Sequence, residues 1–88
     1  MCLGIPAEIV ALKPDDLATV SVNGVRREVS VGLLADDRPE VGDWVLVHVG
    51  FALSVIDERE ALTTLDQIRR LGQAWDDEWS AFTGGAAQ

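Results

Sequence analysis

Between Ile5 and Ile56 the hydrophobic positions recur mostly with a period of two, and from Ala61 onward with helical spacing, so the chain is expected to form strands followed by a helix. Ile5 to Leu12 is apolar with Pro6 near its start, and Lys13-Pro14-Asp15-Asp16 supplies a turn. In Leu17 to Val22, Ala18, Val20 and Val22 share one face, with Thr19 and Ser21 on the other. Val25, Val29 and Val31 alternate in the same way against Arg26, Glu28 and Ser30. Between these runs stands Asn23-Gly24. Both residues tolerate the positive φ of a type I′ turn, so the pair predicts a tight hairpin.

Leu33 to Glu40 reads as a polar connection ending in Arg38-Pro39. Val41-Gly42-Asp43 then leads into the β-rich run Trp44 to Val49, and Gly50 interrupts the pattern before Phe51 to Ile56. A glycine inside a strand pattern usually marks a bulge or a sharp bend, with which small barrels turn corners. About five strands with a bent central pair predict a mainly β protein, a small OB-like five-stranded β-barrel with a C-terminal α-helical segment. Asp57 followed by Glu60 resembles a capping box and opens that segment. Ala61, Leu65, Ile68 and Leu71 or Gly72 fall at helical spacing, and Trp75, Trp79 and Phe82 extend the stripe. The stripe is expected to pack on the barrel. The alternative leaves the Trp75/Trp79/Phe82 end partly open as a docking surface. Gly72 is placed to kink or end the first helix. The expected organisation is one domain, with residues 1–56 as barrel, 57–82 as helical segment and 83–88 as a frayed tail.

With 88 residues, a chain can bury one modest core and has little room for a deep catalytic cleft. Seven Lys and Arg against fifteen Asp and Glu leave a net charge of -8, which repels a phosphate backbone and anionic membrane surfaces. An OB-fold module for single strands needs a positive groove and stacking aromatics, whereas this chain has no Tyr and only two Phe. The balance suits a protein partner with a basic or apolar docking surface, and it also serves solubility. No run approaches the length of a membrane span, and no basic-then-apolar leader opens the sequence. The expected location is therefore the cytoplasm, where a single cysteine stays reduced and Cys2 is not a lipoprotein acceptor.

Cys2 is the unusual feature. Methionine aminopeptidase commonly trims Met1 before a residue this small, and the mature chain would then begin with a thiol and a free α-amine on adjacent carbons. Both titrate close to neutrality, and together they can close a five-membered chelate ring on a metal. A lone cysteine is also often inert. His48, the single histidine, shares a strand face with Trp44 and Leu46. It reads either as a half-buried, hydrogen-bonded imidazole or as a second donor near Cys2. Two donors do not complete a tetrahedral site, so such a site would be open and shared with a partner. A small N-terminal-cysteine enzyme is the competing class, but no third orienting residue accompanies the pair, and the expectation is a non-enzyme.

The opening Met1-Cys2-Leu3-Gly4-Ile5-Pro6 and the segment Val41-Gly42-Asp43-Trp44-Val45-Leu46-Val47-His48-Val49-Gly50-Phe51-Ala52 resemble the two signatures of the HypC/HupF family. Leu53 to Glu58 and the helix with Ala61 and Leu65 sit where that family has them, so the resemblance spans the chain. The family pattern usually continues with Gly after Pro6, where this chain has Ala7. The resemblance implies an OB-like barrel and a hydrogenase maturation chaperone, not an enzyme. In the family the N-terminal cysteine binds the iron–sulfur scaffold protein HypD, the complex holds an iron carrying cyanide and carbon monoxide, and the chaperone then accompanies the precursor of the [NiFe]-hydrogenase large subunit. A HypE-type protein is implied as a further partner through the complex. Carried over by position, Cys2 and His48 are the contacts to iron, with no tightly bound cofactor. Cys2, Leu3, Gly4, Ile5, Pro6, His48, Gly50 and Phe51 form the partner-binding surface.

Overall fold

The computed structural model describes residues 4–70, 72, 76, 79, 80 and 82. Five strands, β1 (Ile5–Lys13), β2 (Leu17–Val22), β3 (Val25–Ser30), β4 (Trp44–His48) and β5 (Phe51–Ile56), close into a barrel in the order β1-β2-β3-β5-β4. A 3-10 turn of helix (Gly32–Asp37) connects β3 to β4, and helix α1 (Glu58–Arg70) follows β5. The expected barrel and helix are thus both present.

Strand parity decides what lies inside. Ala18, Val20 and Val22 are buried on β2, and Val45 and Val47 on β4, whereas Trp44 and Leu46 are half-buried and His48 is exposed. Five strands enclose a narrow interior, so the large side chains of Ile5, Ile9, Val20 and Val45 share it with Ala7, Ala18 and Ala52, all fully buried. Ala7 lies within β1 opposite Val45 and is not among the positive-φ residues, so alanine meets the backbone requirement there without strain.

β1 closes the barrel because it serves two neighbours. Ile5 to Glu8 pair with β4, and Glu8 to Lys13 pair with β2, with a register shift between Ile9 and Ala11 that lets the strand bend from one partner to the other. At the start of β4, the Gly42 amide donates to Ile9 O at 2.9 Å and the Ile9 amide to Asp43 O at 2.8 Å. The Asp43 carboxylate accepts from the Glu40 amide at 2.9 Å. Val41-Gly42-Asp43 is therefore the turn that lays β4 against β1. On the far side a single parallel bridge, Ser30 to Phe51, joins β3 to β5, with the Ser30 amide donating to Gly50 O at 2.9 Å.

Two expectations are made more specific here. Of the bulge or sharp bend expected at Gly50, the structure has the bend. Val49 (φ 48°) and Gly50 (φ 85°) are the centre of a reversal that pairs His48 with Phe51, a two-residue hairpin turn. The irregularity in this hairpin lies instead between Leu46 and Val47. The connection after β3, expected to be polar, includes a 3-10 turn whose Leu34 is buried in the core.

The expected cap of α1 is formed, with Asp57 Oδ1 accepting from the Glu60 amide at 2.7 Å. Glu58 and Glu60 in the first turn and Arg69 and Arg70 in the last complement the helix dipole. Ala61, Leu65 and Ile68 form the buried face, which packs against β1 and β4. Asp57→Ala is expected to cost about 1 kcal/mol of stability, read as a lower urea midpoint at unchanged slope. An unshifted midpoint would show the cap to be dispensable. Gly72 (φ 63°) follows the helix, its amide donating to Arg69 O at 3.2 Å, so it ends α1 as a left-handed residue. Phe82 is 5% exposed, its ring stacks on Trp79 at 5.8 Å, and Arg27 Nε donates to its carbonyl at 3.2 Å. Trp79 and Phe82 thus pack on the barrel rather than forming an open docking end. Trp75 and Leu71 lie outside the described residues.

Candidate functional site

The site grows out of the meeting of β1 with β4. Ile5 pairs with Val47, so the next step of the same register sets Gly4 beside His48. Gly4 is buried at φ 129°. A Cβ placed on it would stand 2.5 Å from Val47 O, 3.0 Å from Val47 C and 3.4 Å from His48 Cβ. Only glycine allows the backbone to pass this close to β4. Ile5 and Pro6, both almost fully buried, hold the strand down immediately after it. Their side chains have no surface to offer a partner in this conformation, and they anchor the segment instead.

His48 is exposed at the end of β4, and its imidazole makes no hydrogen bond or ion pair to another of the described residues. The imidazole is therefore exposed rather than half-buried. The registers Leu17–Ser30, Ser30–Phe51 and Phe51–His48 run as one row across four strands, so Gly4, His48 and Phe51 are neighbours on adjacent strands. Phe51 is half exposed and Gly50 lies in the turn beside it.

Cys2 and Leu3 lie outside the described residues. Peptide geometry alone keeps the Cα of Cys2 within about 7 Å of the Cα of Gly4. Among the described residues, no group of three His, Cys, Asp or Glu is placed to hold a metal ion. An open depression of about 350 Å³ lies between the β1–β2 turn and the 3-10 turn, and none of the candidate residues lines it. No helix among the described residues is long and apolar enough to cross a membrane.

One residue had escaped the sequence reading. Val49, 61% exposed, holds a left-handed backbone between His48 and Gly50. The only hint available was the adjacent glycine, because valine is among the residues least expected at positive φ.

Fold and site together define a small closed β-barrel in which the Gly4 backbone passes close against β4 beside an exposed histidine. The HupF/HypC family model matches residues 1–68. The hydrogenase maturation factor HybG of Escherichia coli (strain K12) is 47% identical over 75 residues, covering 81% of this chain and 92% of that protein. The hydrogenase maturation factor HypC of Rhodobacter capsulatus is 45% identical over 91 aligned residues, covering 99% and 95%. The HypC of Escherichia coli (strain K12) is 44% identical over 75 residues, covering 81% and 82%. The chain belongs to the HupF/HypC family of hydrogenase maturation factors.

Proposed function

We propose that this protein is a hydrogenase maturation chaperone that works through Cys2. In this reading the cysteine binds a HypD-type iron–sulfur scaffold, with a HypE-type protein reached through that complex. The chaperone helps assemble the Fe(CN)2CO unit and delivers it to the precursor of the [NiFe]-hydrogenase large subunit. The observation that carries the reading is the fit of Gly4 against β4, with a would-be Cβ 2.5 Å from Val47 O. Gly4 thus lies beside the exposed His48, and a chain two residues back from it is within reach of that imidazole.

The chemistry suits a cargo that must be passed on. Cyanide and carbon monoxide favour low-spin iron, for which a soft thiolate is a suitable temporary ligand. An imidazole nearby offers a second donor. Leu3, Gly50 and Phe51 are the candidate surface around that pair. A site of two donors leaves positions for the partner's own ligands, so iron is shared rather than stored.

The experiment is recovery of the partners from cells by wild-type and Cys2→Ala protein, and equal recovery of the HypD-type scaffold by both overturns the reading. For His48→Ala, the expected result is less iron in the recovered complex and a lower hydrogenase yield. Because the imidazole is exposed, the melting midpoint should change little, within about ±0.5 kcal/mol of stability. Full iron content and full yield in that variant would exclude His48 from the site.

A further inference from the structure

Two turns of this barrel have almost the same backbone and very different residues. At the β2–β3 hairpin, Asn23 and Gly24 have φ 51° and 83°; at the β4–β5 hairpin, Val49 and Gly50 have φ 48° and 85°. Asparagine is among the residues that best tolerate this conformation, whereas a β-branched residue in it is a genuine outlier. Of the other non-glycine residues at positive φ, two are Asp15 and Asp16, and Arg38 ends the 3-10 turn. Val49 is the one β-branched residue among them. Core packing does not account for the strain, because the side chain is 61% exposed. Backbone strain of this kind concentrates at ligand and partner sites.

We infer that Val49 is an apolar anchor for the same protein partner, held in a strained turn so that its side chain stands beside His48. The inference rests on the function proposed above. It follows from adjacency: Val49 succeeds His48 in the chain and Phe51 faces His48 across the hairpin, so a macromolecule whose groups reach the imidazole must cover both. Beyond them Leu53 and Val55, 42% and 37% exposed, continue an apolar strip along the outside of β5. The elements that adjoin β5 and β3 carry exposed carboxylates. Asp36 and Asp37 lie on the 3-10 turn packed against β5, and Asp16 stands beside Gly32, two residues from the Ser30 that pairs with Phe51. The surface therefore fits a protein face with an apolar centre and a lysine- or arginine-bearing edge.

The test sets stability against binding. Val49→Asn should raise the melting midpoint by several degrees, on the order of 4–8 °C, and weaken binding to the purified HypD-type partner at least about tenfold. Val49→Thr keeps the branched shape and the strain, so it should melt like the wild type while still binding more weakly. Stabilisation without loss of binding, or loss of binding by Val49→Asn alone, overturns the inference. So does self-association of the isolated chain that Val49→Asn abolishes, since the strip would then serve a second copy. Cys2→Ala in the same titration separates the two readings. If it binds like the wild type, the proposed function fails; if it loses binding while both Val49 variants bind normally, only the anchor fails.

Discussion

Gly4→Ala is expected to destabilise the barrel and to cut partner recovery severely. Two costs add at this position. The backbone sits at φ 129°, which a residue with a Cβ rarely adopts, a strain of about 1–3 kcal/mol. The new Cβ would also stand 2.5 Å from Val47 O, and the obstructing atom is backbone in the middle of a closed barrel, so it cannot swing aside. The chain can relieve the clash only by lifting Gly4 away from β4. Ile5 and Pro6 are buried, which stops the lifting there and keeps the barrel intact. The expected outcome is a folded protein with a lower melting midpoint, by on the order of 5–15 °C, and little capacity to mature hydrogenase. Gly24→Ala is the control. Its φ of 83° carries a comparable backbone penalty, yet nothing lies within 4 Å of the added Cβ. It should lose stability and keep partner recovery. A Gly4→Ala protein that melts and binds like the wild type would remove the close approach of Gly4 from the account.

The contrast between those two glycines shows how far the sequence could be read. Asn23-Gly24 announced its hairpin because both residues favour the same local conformation, and the alternation on either side named the buried face before any pairing was known. Asp57 and Gly72 were legible as the ends of α1 for the same reason, since caps are local chemistry. Gly4 was flagged only as part of a motif. Its necessity comes from β4, more than forty residues away, and no local pattern records how closely two strands pass. At Gly50 the sequence left a bulge and a sharp bend both open, because Val49, the first residue of the turn, argues against a turn at all. His48 was placed on the correct strand face, but parity could not say whether that face was covered. Helix α1 packs on β1 and β4, yet it leaves the end of β4 open. The single bridge closing β3 onto β5 likewise depends on a register set by the whole barrel, and β1's change of partner at Glu8 has no signature in its own residues.

Cys2→Ala is expected to abolish recovery of the HypD-type scaffold while leaving the barrel unchanged. Strand β1 begins at Ile5 and the core is built from residues 5–82, so removing a sulfur at position 2 takes away no packing contact among the described residues. The melting midpoint should stay within about 2 °C of wild type, while affinity falls at least about a hundredfold, the equivalent of roughly 2.7 kcal/mol. Cys2→Ser sharpens the test. Its hydroxyl is nearly isosteric, but it does not ionise near neutral pH and is a hard donor, so it should fail almost as completely as alanine if a soft thiolate is required. Serine restoring half or more of the recovery would mean that shape or hydrogen bonding, not thiolate chemistry, makes the contact. The role of the α-amine can be separated from that of the thiol. Protein made while methionine aminopeptidase is inhibited keeps Met1 and the same thiol but loses the free amine on Cys2, which mass spectrometry verifies directly. If amine and thiolate act together on the iron, this untrimmed protein should bind the scaffold weakly and retain little metal. Should it instead support hydrogenase maturation at the normal level, the chelate is wrong and the sulfur acts alone.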